Sequence, residues 1–233
     1  MDRRHFIGTC SAATACTSWV AALPALAGNA RVTEYEPVVL GDESGRPLKA
    51  ASLKPQVNYV FHYPYVATPV FLLRLGRTVP GQAVRGPSGS YDWPGGIGPD
   101  RSIVAFSAIC AHKLVYPNKD VSFISFRKGR ARRGVQDGLI HCCAENSQYD
   151  PAAGARVVSG PAEQPLAAVL LRHDAREDTL TAYGTVGPEL FKQFFEKYAA
   201  KLALDVGPQA VLPVSANARV MELERFCRNP VSC

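Results

Sequence analysis

Hydrophobic residues in this chain fall mostly in short runs with strand character, set apart by glycine and proline. Tyr59-Val60-Phe61-His62-Tyr63 and Val70-Phe71-Leu72-Leu73 are aromatic or branched, and Pro64, Pro69, Pro80 and Gly81 punctuate them. Gly86 to Pro99 is rich in glycine and proline and predicts a loop, with Tyr91 and Trp93 inside it. Ser102 to Ile109 is an apolar strand that runs straight into Cys110, and Val121 to Phe126 is a strand by alternation. Gly138 to Cys142, Ala167 to Arg172 and Thr179 to Tyr183 have the same character. One helix is expected, from Pro188 to Leu204. Phe191, Phe194, Phe195, Tyr198 and Leu202 recur there at helical spacing between charged residues, Pro188 suits the first turn, and Gly207 follows the end. That aromatic stripe reads as packing, not as a cofactor box. Many short strands with one late helix predict an all-β fold, an antiparallel sandwich or barrel with a C-terminal helix.

The first residues change the picture from fold to location. Arg3-Arg4-His5-Phe6-Ile7 opens an uncharged stretch that reaches Ala27, and Ala25-Leu26-Ala27 precedes Gly28. A basic start, an apolar middle and a small-residue end make a secretory signal, and the paired arginines resemble the twin-arginine type. A generic export signal with two chance arginines is the alternative. Cleavage after Ala27 and retention as a membrane anchor are both open, so the expected location is the periplasm, soluble or anchored to the inner membrane. The chain then divides into the signal segment (1–27), an N-terminal β segment (28–100), a core (101–184) and a C-terminal helix and tail (185–233). Of 233 residues, 47% are hydrophobic and 20% charged, which suits a globular domain and not a disordered one. The net charge of +6 is mild and shared with the signal. It does not argue for nucleic acid, and no aromatic–basic interleaving for single strands is present. The run Arg127-Lys128-Gly129-Arg130-Ala131-Arg132-Arg133-Gly134 is either a solvated hairpin tip or a docking patch for an acidic partner.

The candidate chemistry lies in two pieces. Cys110-Ala111-His112 ends an apolar strand, and Cys142-Cys143-Ala144-Glu145-Asn146-Ser147-Gln148-Tyr149-Asp150 is followed by Gly160-Pro161-Ala162. Thiolates and imidazoles on two loops are what a metal site needs. Cys10 and Cys16 lie in the export segment, and Cys227 and Cys233 are placed for a terminal disulfide. No partner base for Ser147 is in reach by spacing, so hydrolytic chemistry has no support.

Here the chain resembles the Rieske iron–sulfur family over roughly Ser102 to Leu171. The resemblance implies a [2Fe–2S] cluster clamped by two loops, with two cysteines on one iron and two histidines on the other, as Cys-x-His and Cys-x-x-His. Cys110 and His112 match the first pair. Ser147-x-Tyr149-Asp150 is similar to the family's Ser-x-Tyr-Asp tail, whose hydroxyls donate to cluster and ligand sulfurs. Gly160-Pro161 is similar to the proline loop that shields the cluster. The second pair departs from the family. The resemblance favours Cys143 as the ligand, which puts Asn146 at the histidine position; the alternative register is Cys142 with Glu145. The family's loop-to-loop disulfide is also missing, since its positions are Val115 and either Ala144 or Glu145, so packing and hydrogen bonds alone should hold the loops. The resemblance implies an electron-transfer protein or subunit of an oxidoreductase. It would take electrons from a membrane quinol-oxidising or periplasmic partner and pass them on, with a c-type cytochrome as one acceptor. A degenerate binding or structural subunit without a cluster, and a zinc site on Cys110, His112, Cys142 and Cys143, are the alternatives. With five histidines, the chain has little room for an oxygenase iron site.

Overall fold

The computed structural model describes residues 32–128 and 138–233. Residues 1–27, where an export signal is expected, and most of the basic run, including Arg130, Arg132 and Arg133, lie outside the described residues. The largest sheet has eight strands in the order Asn217–Arg219, Thr33–Gly41, Thr179–Val186, Ala168–Asp174, Ile103–Ser107, Pro69–Arg74, Tyr59–His62 and Met221–Glu222. Its two edges are consecutive in sequence. Asn217–Arg219 runs parallel to Thr33–Gly41, and after Val220 the chain pairs antiparallel with Tyr59–His62. One short segment thus seals the sheet into a near-closed barrel and covers both exposed edges. The sheet draws strands from the N-terminal, central and C-terminal segments alike.

Continuous apolar runs mark strands buried on both faces. Phe71, Leu73, Val104, Phe106 and Leu170 belong to one hydrophobic cluster; Val70, Leu72, Ile103, Ala105 and Val169 belong to the other. None of the ten is more than 5% exposed. The second set fills the barrel. The first set packs against a four-stranded sheet of Arg156–Ser159, Ser147–Asp150, Leu139–Cys142 and Ile124–Arg127, which brings Ile124, Phe126, Ile140, Cys142 and Tyr149 into the same cluster. Each fully buried Leu or Phe contributes about 1.5–3 kcal/mol, so this interface holds the small sheet firmly on the barrel.

Two expectations shift. The stretch 86–99 is not all loop: Gln82–Gly86 and Gly89–Trp93 form a hairpin, and Val84, Tyr91 and Trp93 are buried on one side of it. Trp93 packs on Phe106 with ring centroids 5.6 Å apart. The helix spans Phe191–Asp205, so Pro188 precedes it instead of opening its first turn. A second, one-turn helix covers Leu223–Phe226. The aromatic stripe packs: Phe194 and Tyr198 each meet Tyr116 edge-on at 4.9 Å, and Phe194 is wholly buried. No helix among the described residues is long and apolar enough to cross a membrane.

Candidate metal centre

Two turns build the site. The first follows Ile103–Ser107, where the Cys110 N–H donates to the Val115 carbonyl at 2.9 Å and the Leu114 N–H to the Cys110 carbonyl at 2.9 Å. The second is the hairpin between Leu139–Cys142 and Ser147–Asp150, closed by the Cys142–Ser147 pair. Asn146 sits there with φ +60°, the left-handed conformation that Asn and Gly tolerate best, which gives this side chain a backbone reason to be Asn.

The turns present their sulfurs in the same way. Cys110 Sγ accepts the backbone N–H groups of His112 and Lys113, two and three residues on. Cys142 Sγ accepts those of Ala144 and Glu145, again two and three residues on. Both thiols are buried and they hydrogen-bond one another. The Cys142 thiol, with the Tyr149 hydroxyl and the amides assisting against burial, holds Cys110 well below the usual thiol range. Cys142 is pushed up by Cys110 and by burial. Like charges side by side cannot both be carried without a cation.

The Tyr149 hydroxyl accepts the Ala111 N–H at 3.2 Å and lies 3.4 Å from Cys110 Sγ, so its own proton is free to point at the sulfur. Ser147, fully buried, accepts the Ala162 N–H at 3.2 Å and thereby pins the Gly160-Pro161-Ala162 loop beside the second turn. Pro161 itself is exposed. A Cβ on Gly160, at φ +90°, would lie 2.5 Å from the Asn146 carbonyl oxygen and from Ser147 Cα. Gly160→Ala is therefore expected to cost about 2–3 kcal/mol in urea unfolding, through backbone strain and displacement of this loop.

The second cysteine that the structure brings to Cys110 is Cys142, not Cys143. Cys143 is in a disulfide with Cys233, with Cα atoms 5.5 Å apart. This corrects two expectations. The terminal Cys227–Cys233 pair does not form: Cys227 is a buried free thiol at the end of the Leu223–Phe226 helix, and the tail beyond it is extended. Six extended residues span up to ~20 Å, far beyond disulfide reach. The loops also do not rely on packing alone, because the second turn is stapled to the C-terminal tail. That tail pairs with Val121–Ser122, and Arg127 binds the Val231 carbonyl, Ser232 Oγ at 2.6 Å and Cys143 Sγ at 3.3 Å. Nothing in the sequence spacing of Cys143 and Cys233 signalled this pairing.

His112 is partly buried, and its Nδ1 is wholly buried with no hydrogen-bond partner among the described residues. Glu145 is half exposed and ion-paired with Lys113 at 3.5 Å, on the turn that carries His112. His141 faces away from the thiols by strand alternation, and His62 lines a separate cavity. Among the described residues, no three His, Cys, Asp or Glu side chains gather around one point as a single ion would need. A binuclear cluster asks for less, since each iron takes only two protein ligands beside its sulfides. Two amide-cradled thiols and an orphaned imidazole nitrogen fit that requirement, with Glu145 in the fourth place. The four-ligand zinc arrangement is not assembled, because Cys143 is committed to Cys233.

The site thus presents two turns with matched cysteine cradles, a Tyr hydroxyl on one sulfur and a pinned Gly160-Pro161-Ala162 loop. No family model matches the sequence. The solved structures that the chain is similar to include two Rieske proteins. One is the soluble domain of the Rieske protein II (soxF) from Sulfolobus acidocaldarius, at 25% identity over 67% of this chain and 82% of that one, with a TM-score of 0.45. The other is the quaternary ammonium Rieske monooxygenase CntA, at 11% identity over 72% of this chain and 37% of that one, with a TM-score of 0.30.

Proposed function

We propose that the chain is a Rieske-type electron-transfer domain that holds a [2Fe–2S] cluster on Cys110, Cys142 and His112, with Glu145 in place of the second imidazole. The carrying observation is the matched pair of cradles, in which Cys110 and Cys142 each accept the backbone N–H groups two and three residues on. When bound, such a cluster takes up and gives back one electron at a time. The chain's own groups would set its potential. Backbone amides and the Tyr149 hydroxyl stabilise negative charge on sulfur, which favours reduction. A carboxylate in the fourth place adds negative charge and opposes it. Cys143, bound to Cys233, takes no part, and Asn146 serves the turn. The export signal supports a periplasmic site of action, soluble or anchored through residues 1–27, with an oxidoreductase subunit as electron donor and a soluble carrier such as a c-type cytochrome as acceptor.

An EPR-monitored redox titration of the anaerobically purified protein tests this reading. A single one-electron couple is expected. Glu145→His should raise its potential by on the order of 100 mV or more, as a neutral imidazole replaces a carboxylate. Asn146→His should leave it in place. An effect of Asn146→His alone would instead make Cys143 and Asn146 the second pair. A protein with no couple at all would support a degenerate binding subunit.

A further inference from the structure

The Cys143–Cys233 disulfide lies against a cation that no described acid neutralises. Arg127 ends the edge strand Ile124–Arg127 of the small sheet. Its Nη2 donates to Cys143 Sγ at 3.3 Å and to the Val231 carbonyl, and its Nη1 donates to Ser232 Oγ at 2.6 Å. Its Nε is wholly buried without a hydrogen-bond partner, and no carboxylate among the described residues pairs with the guanidinium. Burial pushes the group down from its ordinary range, so the charge is held at a cost. Val231 and Ser232 offer it only neutral oxygens. Of the atoms it touches, Cys143 Sγ alone can take up a full negative charge near neutral pH, and only once the disulfide is reduced.

The two sulfurs are placed unequally: Cys233 is exposed, while Cys143 is half-buried against Arg127. The Cys143 N–H donates to the Phe123 carbonyl at 2.6 Å. The tail lies along Val121–Ser122, where the Val231 N–H donates to the Ser122 carbonyl at 2.8 Å. The disulfide thus ties together the tail, this segment and the turn that carries Cys142 and Glu145.

We propose that this disulfide is a redox latch opened by a dithiol protein, with Cys143 as the leaving thiolate and Arg127 as the cation that receives it. One thiolate of the partner attacks Cys233 Sγ, the exposed sulfur, and forms a mixed disulfide there. The electron pair of the broken bond stays on Cys143 Sγ beside the guanidinium. The partner's second thiolate then attacks the partner sulfur of the mixed disulfide and releases Cys233. The chain gains two electrons, and the partner's dithiol becomes a disulfide. Of the partner's two protons, Cys233 takes one and solvent the other, since Cys143 remains a thiolate. Opening frees the tail and loosens the turn around Cys142 and Glu145. The latch does not depend on iron at the thiol site.

The test follows reduction of the purified full chain by dithiothreitol at neutral pH, read by alkylation and peptide mass spectrometry. The bond should open while tryptophan emission stays native; reduction only on global unfolding would overturn the proposal. Arg127→Gln should slow the reduction about tenfold or more, and Arg127→Lys, which keeps the charge, should recover most of the rate. A guanidinium that merely held the tail would act with the opposite sign, because Arg127→Gln would loosen the tail. An unchanged or faster rate in Arg127→Gln therefore sinks the latch. A second readout needs no variant. In the reduced parent, Cys143 should react with iodoacetamide at a pH well below that of Cys233, which should follow an ordinary thiol profile near about 8.5. Equal profiles would contradict the leaving-group assignment. Amide hydrogen exchange at Ala144, Glu145 and Asn146 should rise on reduction and be raised already in Cys143→Ser/Cys233→Ser. Exchange that reduction leaves unchanged would make the bond a staple of the tail alone.

Discussion

Cys142→Ser is expected to strip the protein of iron, while Cys143→Ser leaves the iron in place. The two cysteines are neighbours in sequence, yet they face different partners. Cys142 accepts the Ala144 and Glu145 amides and hydrogen-bonds to Cys110 in the buried interface between barrel and small sheet. Cys143 turns outward to Cys233 and the Arg127 guanidinium. A serine at 142 offers a hydroxyl in place of a thiolate in a site shaped for sulfur, and soft thiolate is what iron–sulfur clusters select. Iron per chain, measured on proteins expressed in parallel, should fall by at least about tenfold for Cys142→Ser and for Cys110→Ser. Loss of iron in Cys143→Ser with retention in Cys142→Ser would reverse the assignment.

The second large effect is on stability. The Cys143–Cys233 bond spans 90 residues of sequence. Closing a loop of that size restricts the unfolded chain by about 4.6 kcal/mol in the chain-entropy model, and measured values for natural disulfides run about 2–5 kcal/mol. The Cys143→Ser/Cys233→Ser double variant should therefore lose roughly 2–4 kcal/mol in urea unfolding. Either single variant should lose about as much, because each removes the same bond. Reductant should lower the stability of the parent protein by a similar amount and leave the double variant unaffected. A parent protein indifferent to reductant would show that the tail is held by Val121–Ser122 pairing and Arg127 without the disulfide.

Much of the scaffold was legible because its central strands are buried on both faces. Val70 to Leu73 and Ile103 to Phe106 had to be continuously apolar, and that is a strong local signal. The hairpin Gln82–Trp93 was not legible, since only Val84, Tyr91 and Trp93 are buried and its turn is built of Gly86, Pro87, Ser88 and Gly89. The helix was visible from its aromatic spacing, but its start was read three residues early because Pro188 fits a first turn as well as it fits the approach to one.

At the site, both registers were visible, but the favoured one, Cys143 with Asn146, is not the one the structure brings to Cys110. Counting back from Tyr149-Asp150 points to Cys142 and Glu145, while a Cys-x-x-Asn reading points to Cys143. The geometry brings Cys142 to Cys110 through amide donors that no sequence motif encodes. Asn146 looked like a lost ligand until its left-handed backbone gave it a different role. The Cys143–Cys233 bond stayed hidden for a general reason. Disulfide partners distant in sequence are set by where the chain returns in space, and here the return depends on the tail pairing with Val121–Ser122.

The most direct measurement is the iron, acid-labile sulfide and zinc content of the protein purified anaerobically after expression with ample iron. A [2Fe–2S] centre on Cys110, Cys142, His112 and Glu145 requires about two irons and two sulfides per chain and no zinc. One zinc without sulfide, or a folded protein with neither metal nor sulfide, would contradict it.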